Sequence, residues 1–177
     1  QDILQHKEKF DEQSFINEIS SMNEMIDQTT KRLRKLISEL RTDILDNLGL
    51  LSAIDYEVKH FIENSGINCS FKSDNISSKV DKDKANTILR VLQESFNNIK
   101  KHSTAKKVEA TLLKSNGTIS LTISDDGVGF DLSEMKHKET FGILGMKERA
   151  QAVEGKLIVK SRAGHGTDVI LNIPDES

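Results

Sequence analysis

Glu94, Asn98 and His102, in QESFNNIKKH (93–102), recur at steps of four, and residues four apart on an α-helix are surface neighbours. A carboxylate and an amide oxygen are hard donors of the kind Mg²⁺ accepts, and that ion is commonly held by few protein groups together with phosphate oxygens. Lys101 and His102, one turn further on, could meet phosphate charge. The same stripe is also what a solvated helix face looks like. In SDDGVGF (124–130) a carboxylate precedes Gly127 and Gly129, where the missing Cβ lets backbone approach a flat ligand. A bare DxGxG equally serves as a tight acidic turn. DLSEMKHKET (131–140) reads as a polar flap, and FGILGMKERA then places Gly142 and Gly145 at a helix start. Backbone N–H groups and the dipole favour anionic phosphate there. GHGT (164–167) opens the final strand, and there is no GxxxxGK[ST] loop of the kind that would cradle phosphates by another route.

These residues need a scaffold, and hydrophobic spacing supplies its outline. Phe15, Ile19, Met22, Ile26, Leu33, Leu36 and Leu40 step by fours and threes, with Thr29 filling the gap. That is a heptad seam, narrow enough to require a partner helix. Gly49 punctuates it, and GLLSAIDYEVKHFIENSG predicts a second helix with Leu50, Ile54, Val58 and Ile62 inward and Gly66 as its C′ residue. INCSFKS predicts a strand in which Cys69 is a buried, inert thiol, and Asp81 predicts the N-cap of a helix running to about His102. KKVEATLLKSNGTISLTISDDG predicts a hairpin turning at Asn116-Gly117. FGILGMKERAQAVEG predicts a helix ending at Gly155, and KLIVKSRAGHGTDVILNIP a second strand pair. Two connections are too short to hold a crossover helix, so the fold class is α+β: an antiparallel or mixed sheet with helices on one face, preceded by the long heptad-patterned helix.

Composition limits the partners. With 25 Lys and Arg against 28 Asp and Glu, the net charge is −3, which suggests neither nucleic acid nor an anionic membrane as partner. No apolar run approaches the roughly 20 residues of a membrane span. A single cysteine excludes an internal disulfide framework and any Cys-rich zinc site.

In this order, the E-x₃-N helix, DxGxG, flap, Gly-x-x-Gly and GT resemble the ATP-binding (Bergerat-type) domain shared by histidine kinases, Hsp90-like chaperones, type II topoisomerases and MutL-like proteins. The resemblance covers about residues 50–175. QESFNNIKKH, DDGVGFD and FGILGMKERAQAVEGKLIVKSRAGHGT are similar to sensor histidine kinases of the NarL/DesK/LiaS type, and ISELRTDILDNLGLLSAI to the end of that group's dimerisation bundle. Thr42 stands where the group usually has Pro. The resemblance implies a two-layer α/β sandwich, with 1–45 a partial dimerisation bundle (the end of its first helix and most of its second) and 46–177 the ATP-binding catalytic domain.

By resemblance, Asn98 would hold Mg²⁺ with Glu94 assisting, Lys101 and His102 would neutralise phosphate, and Asp125 would accept the adenine amino group. Gly127 and Gly129 would close over the base, Gly142 and Gly145 would hinge the ATP lid, and Thr167 would complete the pocket. The resemblance further implies ATP and Mg²⁺ as cofactors and a response-regulator receiver domain as partner. It implies a homodimer in the full-length protein and a cytoplasmic location, as part of a sensor that can be membrane-bound. None of the five histidines stands in the H-[DE]-x-[LI]-G sequence of the phosphoacceptor, which is expected upstream of Gln1. Two alternatives stay open: a non-catalytic nucleotide-binding regulatory module, and an anti-sigma-type serine kinase of the same fold.

Overall fold

The helical span α1 (Glu12–Ser65) is two helices that meet at Gly49, whose φ 82°, ψ 172° is not helical. The computed structural model describes residues 12–76, 80–131 and 141–175. By contacts the chain forms two units, Gln1–Thr42 and Asp43–Ser177. In the first, the seam residues Phe15, Ile19, Met22 and Ile26 are between 45% and 64% exposed, while the side chains of Leu33, Leu36 and Leu40 lie outside the described residues.

The second unit begins with the later turns of α1. Leu50, Ile54, Val58 and Phe61 are buried there, whereas Ile62 is exposed. The expected stripe at strict steps of four fails at its last member for a geometric reason. At 3.6 residues per turn each such step drifts by about 40°, so by the fourth position the preceding residue faces the core. Phe61 stacks on Phe96 at a centroid distance of 4.4 Å, and the buried Glu57 accepts from Gln93 at 2.9 Å. Gly66, at φ 70°, closes the helix by donating to the Ile62 carbonyl at 2.9 Å.

Next come β1 (Asn68–Asp74), α2 (Lys82–Asn98) and a π-helical turn (Ile99–Ser103). Asp81 caps α2 as its position predicts, accepting from the Asp83 and Lys84 N–H groups at 3.0 and 3.1 Å. β2 (Lys107–Ser115) and β3 (Thr118–Asp125) form the expected hairpin, with φ 50° at Asn116 and 68° at Gly117, the two positive values a type I′ turn demands. α3 (Phe141–Ala152), β4 (Lys156–Ser161) and β5 (Thr167–Pro174) complete the order. Gly155 lies three residues beyond the end of α3, and Glu154 takes the positive φ instead.

The strands make one mixed sheet in the order β1-β2-β3-β5-β4. β1 runs parallel to β2, across the crossover that α2 supplies, and every other pair is antiparallel. Ile119, Leu121, Ile123, Leu171 and Ile173 point to one face and are fully buried with Ile88 and Leu92 of α2. Each such side chain contributes about 1.5–3 kcal/mol by leaving water. The opposite face carries half-buried polar groups such as Ser120, Thr122 and Asn172, so the helices cover one side and the α+β expectation holds. Asp175 follows β5 and is buried between Lys84 of α2, at 3.1 Å, and Lys114 of β2. Cys69 is half-buried rather than fully buried, and desolvation still pushes its thiol up to about 11. Among the described residues no helix is long and apolar enough to cross a membrane.

Candidate functional site

The end of α2 sets one wall of a cavity of about 290 Å³. Asn98, His102, Asp125, Gly129 and Thr167, five of the expected site residues, line it, together with Ser95, Ser103, Phe130, Ile123, Ile143, Met146 and Val169 among others. The helix does not reach His102 as α-helix: it widens into the π-helical turn at Ile99. In an α-helix four residues overshoot a full turn, and a wider turn cancels part of that overshoot. Asn98 and His102 accordingly meet the same cavity.

The turn is tied off by Ser103. Its hydroxyl donates to the Ile99 carbonyl at 2.9 Å and accepts the Ala105 N–H at 3.1 Å. Thr104 follows in the left-handed region at φ 53°, an uncommon place for a β-branched residue. The Ser103 carbonyl accepts the Val128 N–H at 2.7 Å, which draws the DDGVGF loop against the turn. Only glycine fits at 127: a Cβ there would overlap the Ser103 carbonyl oxygen and stand 2.7 Å from Asp125 Oδ1.

The two adjacent aspartates have opposite fates. Asp126 is exposed and its Oδ1 accepts the Lys106 and Lys107 N–H groups at 2.8 and 2.9 Å, which hold its pKa below the usual carboxylate value. Asp125 is half-buried, and desolvation raises its pKa; Asp126 and Asp168 add to that, against N–H groups from Gly127 and Thr167. The Gly127 N–H reaches Asp125 Oδ1 at 2.9 Å. Asp126 is therefore committed to the start of β2, while Asp125 faces the cavity.

Strand register brings Asp125 opposite Thr167. Gly166 allows that approach, since a Cβ on it would overlap the Asp125 carbonyl oxygen. Ser161, unremarked in the sequence, lies within 3.0 Å of polar atoms of Phe130, Gly166 and Thr167. Its position opposite Thr167 at a strand end was legible only as one more serine before GHGT.

The other five expected residues, Glu94, Lys101, Gly127, Gly142 and Gly145, do not line the cavity. Lys101 is exposed. Glu94 sits one turn before Asn98 with its carboxylate against Gly142, where an added Cβ would overlap Oε1. Gly142 and Gly145 both lie within α3, and Ile143 and Met146 reach the cavity from that helix. Gly142 belongs to the first turn, whose N–H groups lack intrahelical partners; Gly145 lies beyond it. The flap residues 132–140, including His137, lie outside the described residues.

The lining suits a planar heterocycle: apolar walls from Ile123, Ile143, Met146 and Val169, the Asp125 carboxylate with the Thr167 hydroxyl beside it, and backbone brought close by glycines. Among the described residues no group of three or more His, Cys, Asp or Glu could hold a metal. An ion beside Asn98 would take its remaining ligands from phosphate and water, which is how Mg²⁺ usually binds.

Residues 83–177, just over half of the chain, match the family described as histidine kinase-, DNA gyrase B-, and HSP90-like ATPase. The signal transduction histidine-protein kinase/phosphatase DegS of Brevibacillus brevis is 31% identical over 159 residues, covering 90% of this chain and 41% of its own. The sensor histidine kinase MctS of Rhizobium johnstonii is 34% identical over 154 residues, covering 85% and 33%. The oxygen sensor histidine kinase NreB of Staphylococcus carnosus is 33% identical over 153 residues, covering 86% and 43%. The chain thus spans less than half the length of these relatives. In fold it is similar to the histidine kinase domain of the Erythrobacter litoralis EL346 blue-light activated histidine kinase, with TM-score 0.58 and 21% identity over 71% of this chain and 60% of that one. The Acinetobacter baumannii histidine kinase AdeS gives TM-score 0.62 and 15% identity over 88% and 84%.

Proposed function

The chain belongs to the family of histidine kinase-, DNA gyrase B- and HSP90-like ATPases, and from that membership we propose that it is the ATP-binding catalytic portion of a sensor histidine kinase. It binds ATP with Mg²⁺ in the cavity between α2, α3 and the sheet. The observation that carries this reading is that Asn98 and Asp125, distant in sequence, line one cavity of about 290 Å³.

In this reading Asp125 accepts the exocyclic amine of adenine, with Thr167 beside it and the Gly127–Gly129 backbone along the base. Asn98 supplies an oxygen to Mg²⁺, which neutralises charge on the triphosphate when bound, and Glu94 orients water or the attacking group from one turn away. His102 at the cavity wall and the exposed Lys101 add positive charge near the phosphates, and the N–H groups of the first turn of α3 around Gly142 add donors. Phosphoryl transfer demands mainly positioning and charge neutralisation of this kind. The acceptor is a histidine of a dimerisation helix outside the described residues, for relay to an aspartate of a response-regulator receiver domain, and the parent acts as a homodimer through helices such as α1.

Calorimetric titration with ATP, with and without Mg²⁺, tests the reading. Binding that strengthens with Mg²⁺ in the wild type and loses that dependence in Asn98→Ala is the expected result. Absence of adenosine nucleotide binding refutes it.

A further inference from the structure

We propose that Ser161 is a positioning residue that fixes the direction in which the Thr167 hydroxyl bonds, and thereby restricts the site to bases with a donor edge. The inference rests on the nucleotide reading above and adds a residue to it. Ser161 ends β4 directly opposite Thr167 of β5. Its Oγ lies 2.9 Å from the Phe130 amide nitrogen, 2.9 Å from the Gly166 carbonyl oxygen and 3.0 Å from Thr167 Oγ1.

A hydroxyl has one proton to give and two lone pairs to receive with. The Phe130 N–H can only donate and the Gly166 carbonyl can only accept. One assignment of protons makes all three contacts hydrogen bonds: Ser161 donates to Gly166 and accepts from both Phe130 and Thr167. The Thr167 proton is then turned away from the cavity, which meets only that oxygen's lone pairs. Asp125, paired with Thr167 across β3 and β5, presents a carboxylate, also an acceptor when ionised. Two neighbouring acceptors favour a ligand edge carrying N–H groups, directly or through water, and oppose a carbonyl in the same place.

The experiment compares ATP with inosine triphosphate, in which a carbonyl replaces the 6-amino group. Both are titrated with Mg²⁺ into the wild type, Ser161→Ala and Ser161→Thr. The wild type is expected to prefer ATP. In Ser161→Ala the Thr167 hydroxyl is free to swing its proton into the cavity, so the ratio of the two Kd values narrows by about fivefold or more, the worth of one mispaired polar group. Ser161→Thr retains a hydroxyl and keeps the wild-type ratio. An unchanged ratio in Ser161→Ala, even with both nucleotides equally weakened, marks a purely structural serine and overturns the proposal. Failure of the wild type to bind ATP overturns the nucleotide reading itself, and this proposal with it. Should Ser161→Ala not fold, Ser161→Cys, whose thiol is a weak donor and acceptor, is expected to narrow the ratio in the same way, and an unchanged ratio there is equally decisive.

Discussion

Replacing Asp125 by Asn separates what the site needs from what the fold prefers. Asn keeps an oxygen to accept the Gly127 N–H, now at 2.9 Å, so the loop survives. Its amide nitrogen takes the place of the second carboxylate oxygen and points N–H groups where the adenine amine also offers N–H. One hydrogen bond is lost and a donor is left mispaired, a cost of about 1–3 kcal/mol, or about 5- to 150-fold in Kd. Stability moves the other way. Burial raises the Asp125 pKa in the folded state, and an acid so shifted gives stability that is full below its unfolded pKa and lost as pH rises through the folded value. At pH 7 the ionised carboxylate therefore costs stability that Asn does not. Urea denaturation of Asp125→Asn is expected to show a protein at least as stable as wild type at pH 7, with the difference vanishing toward pH 3, while calorimetry shows ATP binding weakened at least fivefold. Unchanged ATP affinity, or a variant less stable than wild type at pH 7, refutes the reasoning.

Gly127→Ala is expected to lose about 1–3 kcal/mol by urea denaturation, as overpacked sites do, because its Cβ has no room beside the Ser103 carbonyl. Gly66→Ala meets nothing within 4 Å and should lose only about 1–2 kcal/mol from its positive φ, with ATP affinity untouched. Asp175→Ala removes the carboxylate buried between Lys84 and Lys114 and should cost about 3 kcal/mol, read as a lower urea midpoint with the ATP Kd of the folded fraction unchanged. Thr104→Gly relieves a left-handed β-branched residue; against the larger unfolded-state entropy of Gly it should still stabilise by up to about 1 kcal/mol, seen as a raised melting temperature.

Local chemistry was legible in the sequence. Asp81 capped its helix, Asn116-Gly117 turned its hairpin and Gly66 ended α1, because each signal depends on neighbours within a few residues. The E-x₃-N and DxGxG motifs pointed to one site, and five of the expected residues line one cavity. Pairing over long distances was not legible. Nothing local says that β1 joins β2 in parallel, that β5 lies between β3 and β4, or that Asp175 meets two lysines from separate elements. The choice of Asp125 over Asp126 came from resemblance alone; in the structure, the Lys106 and Lys107 amides claim Asp126. The π-helical turn escaped notice because its period differs only slightly from that of the α-helix it extends.

The strand order has a consequence for how the domain comes into being. β5, the last of the five described strands to be synthesised, lies between β3 and β4 and, among the described residues, is the only strand paired with β4. A nascent chain therefore carries two open ladders until residues 167–174 emerge from the ribosome, and Asp125 lacks the neighbour that completes its wall. Completion of the cavity should therefore wait for β5, and chains stalled before it should be clients for chaperones.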